Sequence, residues 1–167
     1  MLVNVLLSIF LGFLCCKFFG FRLGGFGCCI ITVWCVYLST LFSEIIFFNS
    51  FFFQKNFILK LGDWIAFDNY TILWDFCFDT LTSSMLIIVT VVSFFVHLYS
   101  SDYMEYDPHV ARFVSYLSLF TLFMLFLITA NNFLIMFIGW EGVGLCSFLL
   151  INFWHTRLQA NKSAIKA

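Results

Sequence analysis

An all-α membrane protein of about five transmembrane helices, with one small β-hairpin on its outer side, is the fold class predicted for this chain. Three observations predict it. Of 167 residues only 10% are charged and 63% are hydrophobic, whereas a soluble domain needs roughly 25% charged residues to cover its surface. Five apolar runs approach the roughly 20 residues that carry a helix across a bilayer. Between the second and third runs lies a stretch whose hydrophobicity alternates with a period of two, the pattern of a half-buried strand. The whole chain, 1–167, reads as a single transmembrane domain.

The first span, about 2–19, is closed by Lys17, Arg22 and the Gly24-Gly25 pair, which marks a turn. The second, about 27–48, leaves the membrane through a Phe-rich exit ending at Phe53. A hairpin is predicted over about 57–79. Trp74, Phe76 and Phe78 fall on one face of its second strand, Asp75, Cys77 and Asp79 on the other, with Asp68-Asn69 as the turn. The third span, about 84–98, is followed by a charged loop that holds the chain's one proline, Pro108. The fourth, about 113–129, meets the fifth, about 133–154, across a break of only Ala130-Asn131-Asn132. So short a link makes these two antiparallel neighbours. The polar tail after His155 reads as the approach to a further helix, with Lys162 and Lys166 as snorkelling anchors.

Basic residues set the orientation. With five spans, Lys17, Arg22, Arg112, Arg157, Lys162 and Lys166 share one side, and only Lys55 and Lys60 lie on the other. The positive-inside rule places the larger set on the side of synthesis. The N-terminus and the hairpin then face outward.

Composition excludes several functions. A net charge of -1 offers no basic surface for nucleic acid. The 26 Phe residues read as lipid-facing filler. Cys15, Cys16, Cys28, Cys29 and Cys35 sit inside apolar runs, where a thiol acts as a small hydrophobe. No C-x-x-C occurs, and no metal site is expected. Phosphate-binding G-x-x-x-x-G-K-[ST], a G-x-G-x-x-G after a strand, and H-E-x-x-H are all absent. No cofactor is therefore expected on this chain, and no redox or hydrolytic chemistry. The N-terminus has neither a secretory signal nor an Arg-rich organellar presequence.

One residue stands out as chemistry. Glu141 lies near the middle of the fifth span, flanked by Gly139, Gly142 and Gly144. Holding a charged carboxylate at that depth costs about 2.5–3.5 kcal/mol on insertion scales. Such a residue faces a cavity, a water wire or a partner, or else hydrogen-bonds a neighbouring helix as glue. His97, near the inner end of the third span, has two readings: an accessory proton relay or a histidine at the membrane interface. Glu44, toward the outer end of the second span, reads as reaching the interface. Asp102, Glu105, Asp107 and His109 form a loop cluster with no recognisable metal geometry.

Several blocks resemble the mitochondrial NADH dehydrogenase subunit 5 family. They are Asp79-Thr80-Leu81-Thr82, the run from His97 through Met104, Asp107-Pro108-His109 with Arg112-Phe113, and Asn132-Phe133. Further along come Gly139-Trp140-Glu141-Gly142-Val143-Gly144 and most of 154–167. The similarity is strong over about 74–167. Before that it lies in hydropathy and little else.

The resemblance implies an antiporter-like helical bundle in the membrane arm of respiratory complex I, in the mitochondrial inner membrane. The family couples NADH:ubiquinone electron transfer, carried out in other subunits, to proton translocation. The resemblance also implies that Glu141 is the acid of a proton path which uses lysines on later, broken helices. The chain stops at Ala167, before those helices. The expectation is a split gene whose second polypeptide completes the subunit and packs against the other membrane-arm subunits, the neighbouring antiporter-like one included. Two alternatives stand beside it, a purely structural fragment of the membrane arm and a component of a non-respiratory sodium/proton antiporter.

Overall fold

The computed structural model describes residues 2–53, 56–67 and 70–166. Its elements run α1 (Leu2–Phe53), β1 (Phe57–Phe67), β2 (Tyr70–Phe78), α2 (Thr80–Tyr103), α3 (Val110–Thr129), α4 (Phe133–Ile151) and α5 (Leu158–Lys166). Four of the helices are long and apolar enough to cross a membrane. The first of these is two limbs in one.

As a straight rod, the 52 residues of α1 would reach about 78 Å at 1.5 Å per residue, more than twice a hydrocarbon core of about 30 Å. The chain avoids this by reversing at Gly24, whose φ of 72° and ψ of 173° are non-helical. Behind the turn the limbs run antiparallel. Ser39 Oγ donates to the Val5 carbonyl at 3.1 Å, and Cys16 Sγ approaches the Cys28 carbonyl at 3.5 Å. At Gly12 an added Cβ would stand 3.1 Å from that of Cys35. Five long helical limbs result, as the five apolar runs predict.

Gly24 is needed for its backbone and not for space, since an added Cβ would meet nothing within 4 Å. That combination of φ and ψ is close to glycine-only, and other residues are strained there by about 1–3 kcal/mol. Gly24→Ala is therefore expected to lower stability by about that much, read as a drop in thermal midpoint of the detergent-solubilised protein, although the methyl touches no neighbour.

Small hydroxyl residues hold the bundle together. Ser83, Thr90, Ser93 and Ser100 are buried along α2 and, with His97 in the same row, are spaced three, four or seven apart, so that the hydroxyls form one stripe. Residues this small let helices approach closely in lipid, and their hydroxyls bond across the interface. Ser43 and Thr90 meet at 2.9 Å between α1 and α2. Most of the hydroxyls also satisfy themselves on carbonyls of their own helix, as Thr90 does with Leu86 at 2.9 Å.

The β-hairpin pairs β1 and β2 antiparallel, with irregularities between Lys60 and Gly62 and between Asp63 and Ile65. The Asp68-Asn69 turn, like Lys55, lies outside the described residues. Phe76 and Phe78 are fully buried in the core, as the alternation requires. Asp75 departs from its expected place. The alternation assigns it to the polar face, yet it is only 3% exposed, because the α3–α4 turn covers that face. Its carboxylate takes the side-chain amide of Asn131 and that of Asn132 at 2.8 Å. Asn132 also donates to the Leu73 carbonyl at 2.8 Å, and a backbone bridge joins Phe76 to Ala130. The hairpin is thus latched to the corner from which α4 starts.

The helices do not end where the apolar runs do, and the second limb of α1 runs on to Phe53 and α3 begins at Val110. Around 84–98 the helix reaches from Thr80 to Tyr103, since hydropathy does not register its polar first turn, where the Asp79 N–H donates to Thr82 Oγ1 at 2.6 Å. The helix of the fifth span, α4, ends at Ile151 rather than near 154, with Asn152 as its C-cap residue. The polar tail forms α5, a short helix with Ala164 buried and Lys166 in its last turn.

Candidate functional site

The site is built on α4. This helix is apolar on nearly every side, and its buried residues, Ile135, Gly139 and Cys146, define the face turned to its main neighbour, α3. Two glycines allow a close approach. A Cβ at Gly139 would stand 2.7 Å from the Leu127 backbone nitrogen, and one at Gly142 would enter the Phe123 ring. Gly144 is different, with nothing within 4 Å of an added Cβ.

Glu141 lies on the opposite face. At 100° per residue it shares a side with Phe137, Gly144, Leu145 and Phe148, and it is exposed on the surface of this chain. Around it Phe137 is 58%, Trp140 67% and Leu145 58% exposed. Among the described residues no basic side chain pairs with its carboxylate. A lone acid therefore sits halfway along an outward apolar stripe of the outermost long helix. In a membrane that face meets either lipid or another protein helix, and the carboxylate is costly against lipid.

His97 is enclosed within the bundle. It is 1% exposed, held between α2 and α3, with Nδ1 at 2.8 Å from the Ser93 carbonyl oxygen and Nε2 at 3.3 Å from Ser118 Oγ. The side chain turns inward along the hydroxyl stripe instead of outward from the bundle. The structure does not bring His97 and Glu141 together: one is enclosed by α2 and α3, the other faces away from α3. Glu44 is exposed on the second limb of α1.

At the end of the bundle that carries the α1 turn, the loops are tied together. Lys17 lies 5.5 Å over the Tyr116 ring, and Arg157 lies 5.0 Å over that of Trp154. Asp107 accepts the His109 backbone N–H at 2.9 Å and the Trp154 indole N–H at 3.1 Å. These two donors, the backbone N–H first, hold its carboxyl below the usual range. Lys17, Arg22, Arg112 and Arg157 thus gather at one end, opposite the hairpin, as the five-span count requires.

The latch between hairpin and α3–α4 turn was not foreseen from sequence. Its only signal is the pair Asn131-Asn132, which reads equally well as a simple break between two spans.

Comparison with known proteins bears on this geometry. Residues 64–114 match the family described as NADH-ubiquinone oxidoreductase (complex I), chain 5 N-terminus. Residues 130–167, which include all of α4, match the transmembrane family of NADH:quinone oxidoreductases and Mrp antiporters. The chain is similar to NADH-ubiquinone oxidoreductase chain 5 of Phytophthora infestans, 52% identical over all of this chain and 25% of that protein. Its similarity to the Marchantia polymorpha protein of the same name is 51% over 90% of this chain and 22% of the relative. For the Neurospora crassa protein it is 46% over the whole chain and 23% of the relative. The chain spans about a quarter of the length of these relatives.

Proposed function

Since the chain belongs to the NADH-ubiquinone oxidoreductase chain 5 family, we propose that it forms the N-terminal part of a proton-translocating, antiporter-like subunit of respiratory complex I, with Glu141 as an acid of the proton path. The observation that carries this reading is the direction of Glu141. Its carboxylate points out of the chain's own bundle, from an apolar face that this chain leaves uncovered. A carboxylate kept at such depth implies a polar or basic group opposite it, and that group comes from polypeptide beyond this chain. The remaining three quarters of the subunit, carried by a second chain in the split-gene reading, would supply it. A proton would then pass through Glu141 as its partner moves or changes charge, while electron transfer from NADH to ubiquinone takes place in other subunits.

The reading places the chain in the mitochondrial inner membrane, with its N-terminus and hairpin on the intermembrane-space side and its C-terminus on the matrix side. The gathering of basic residues at the α1-turn end supports that orientation. Other membrane-arm subunits, above all the neighbouring antiporter-like one, are its partners, together with lipid. Buried His97 joins the path only as an accessory group, because its contacts stay within α2 and α3.

Glu141→Gln keeps the shape and removes the titrating group. In membranes holding the assembled complex, the variant is expected to move fewer protons for each NADH oxidised at an unchanged level of complex. Normal pumping together with normal NADH oxidation would falsify the role and leave the chain a structural part.

A further inference from the structure

Where α1 turns and α2 runs out, a groove of about 730 Å³ opens on the bundle surface, within the roughly 300–1,000 Å³ of ordinary binding clefts. Its wall is apolar and its rim acidic. Phe26, Ile30 and Trp34 from the second limb of α1 form the wall, and Asp102, Glu105 and Asp107 stand on the rim. Phe26 is 80% and Trp34 59% exposed, so this chain leaves the wall open.

The rim carries three acidic side chains at the end of the molecule richest in cations, yet among the described residues none of them forms an ion pair. Neighbouring cations are engaged elsewhere, Lys17 on the Tyr116 ring and Arg157 on that of Trp154. Asp107 is fixed in place by the His109 N–H and the Trp154 indole. The groove therefore presents a negative edge beside an aromatic wall, and among the described residues none of its carboxylates is held in an ion pair.

We propose that this groove docks a polypeptide segment from outside the chain that carries at least two Lys or Arg beside apolar side chains and lies along the membrane interface. The chemistry favours such a segment over a phospholipid. Acyl chains would fill the apolar part equally well, but the lipid's phosphate would be set against three carboxylates. Lys and Arg instead lay their methylene stems on an apolar wall while their charged ends reach the rim, and a cation passing over Trp34 is attracted by its ring. Such a segment also answers the rim by charge complementarity, which fixes the register of a docked partner. This inference does not depend on the role of Glu141.

The test uses the intact membrane assembly that contains the chain. A water-soluble carbodiimide activates the carboxyls, glycine methyl ester competes as a free amine, and peptide mapping locates the products. Two results support the proposal. One is an amide bond from Asp102 or Glu105 to a lysine of another polypeptide whose flanking sequence is basic and apolar. The other is protection of the rim from the ester that is lost in 1 M salt, where the screening length falls to about 3 Å. The proposal is overturned by complete ester labelling of all three carboxyls in the intact assembly. Attachment of the amine of an aminophospholipid, or of a lysine from this same chain, overturns it too.

Discussion

Asp75→Ala is expected to lower stability by about 3 kcal/mol and to free the start of α4. The magnitude follows from what the carboxylate holds. It accepts from Asn131 and Asn132 at once, and hydrogen bonds to a charged group contribute about 1.5–3 kcal/mol each. Some of that survives in the variant, because Asn132 keeps the Leu73 carbonyl. Asn131 loses its acceptor as well, but it is exposed and its freed amide can turn to solvent, so the loss there is that of the bond alone. Asp75→Asn should fall between wild type and Ala, since its one remaining oxygen can serve one amide but not both in the same geometry. The thermal midpoint of the solubilised protein gives the order of the three forms. Hydrogen exchange in the α3–α4 turn locates the loss: protection there should fall first, ahead of the hydroxyl-packed interior. An unchanged midpoint in Asp75→Ala would show that the bridge from Phe76 to Ala130 holds the corner by itself.

That latch also marks how far the sequence could be read. The five limbs were legible because each is an apolar run of membrane length, and the Gly24-Gly25 pair announced the reversal between the first two. The hairpin was legible because Trp74, Phe76 and Phe78 alternate with polar residues. Which polar residues would be buried was not legible, since that depends on neighbours far along the chain. Asp75 alternates as a surface residue should, and only the Asn131-Asn132 corner, more than 50 residues later, covers it. His97 misleads for a related reason. Placed near a helix end beside Tyr99, Ser100 and Ser101, it has the sequence of an interfacial residue, and only the α2 stripe with Ser118 opposite draws it inside. Glu141 could be singled out from its surroundings but not aimed. A helix that is apolar all round gives no periodic signal of which face is buried. The glycines on α4 settle the direction, and they do so only once α3 is in place.

Two of those glycines, Gly139 and Gly144, are expected to respond differently to substitution. A single methyl at Gly139 would come within 2.7 Å of the Leu127 nitrogen and 2.9 Å of its Cα. Both are backbone atoms of a packed helix and cannot swing aside, so α3 and α4 must separate. Overpacking of this kind costs about 1–3 kcal/mol, and Gly139→Ala should lower the thermal midpoint of the chain accordingly. A methyl at Gly144 meets nothing within 4 Å, and replacing a mid-helix glycine with alanine favours the helix by about 1 kcal/mol in soluble hosts. Gly144→Ala should therefore leave the midpoint of the chain unchanged or slightly raised. The pair becomes most informative in the assembled complex. Gly144 shares its face with Glu141, and that face is where the remaining polypeptide is proposed to pack. Gly144→Leu, which projects a bulky side chain from this exposed position, should then reduce the amount of complete assembly in native gels. If assembly proceeds at the wild-type level, lipid and not a helix lies against this face, and Glu141 has no partner there to exchange a proton with.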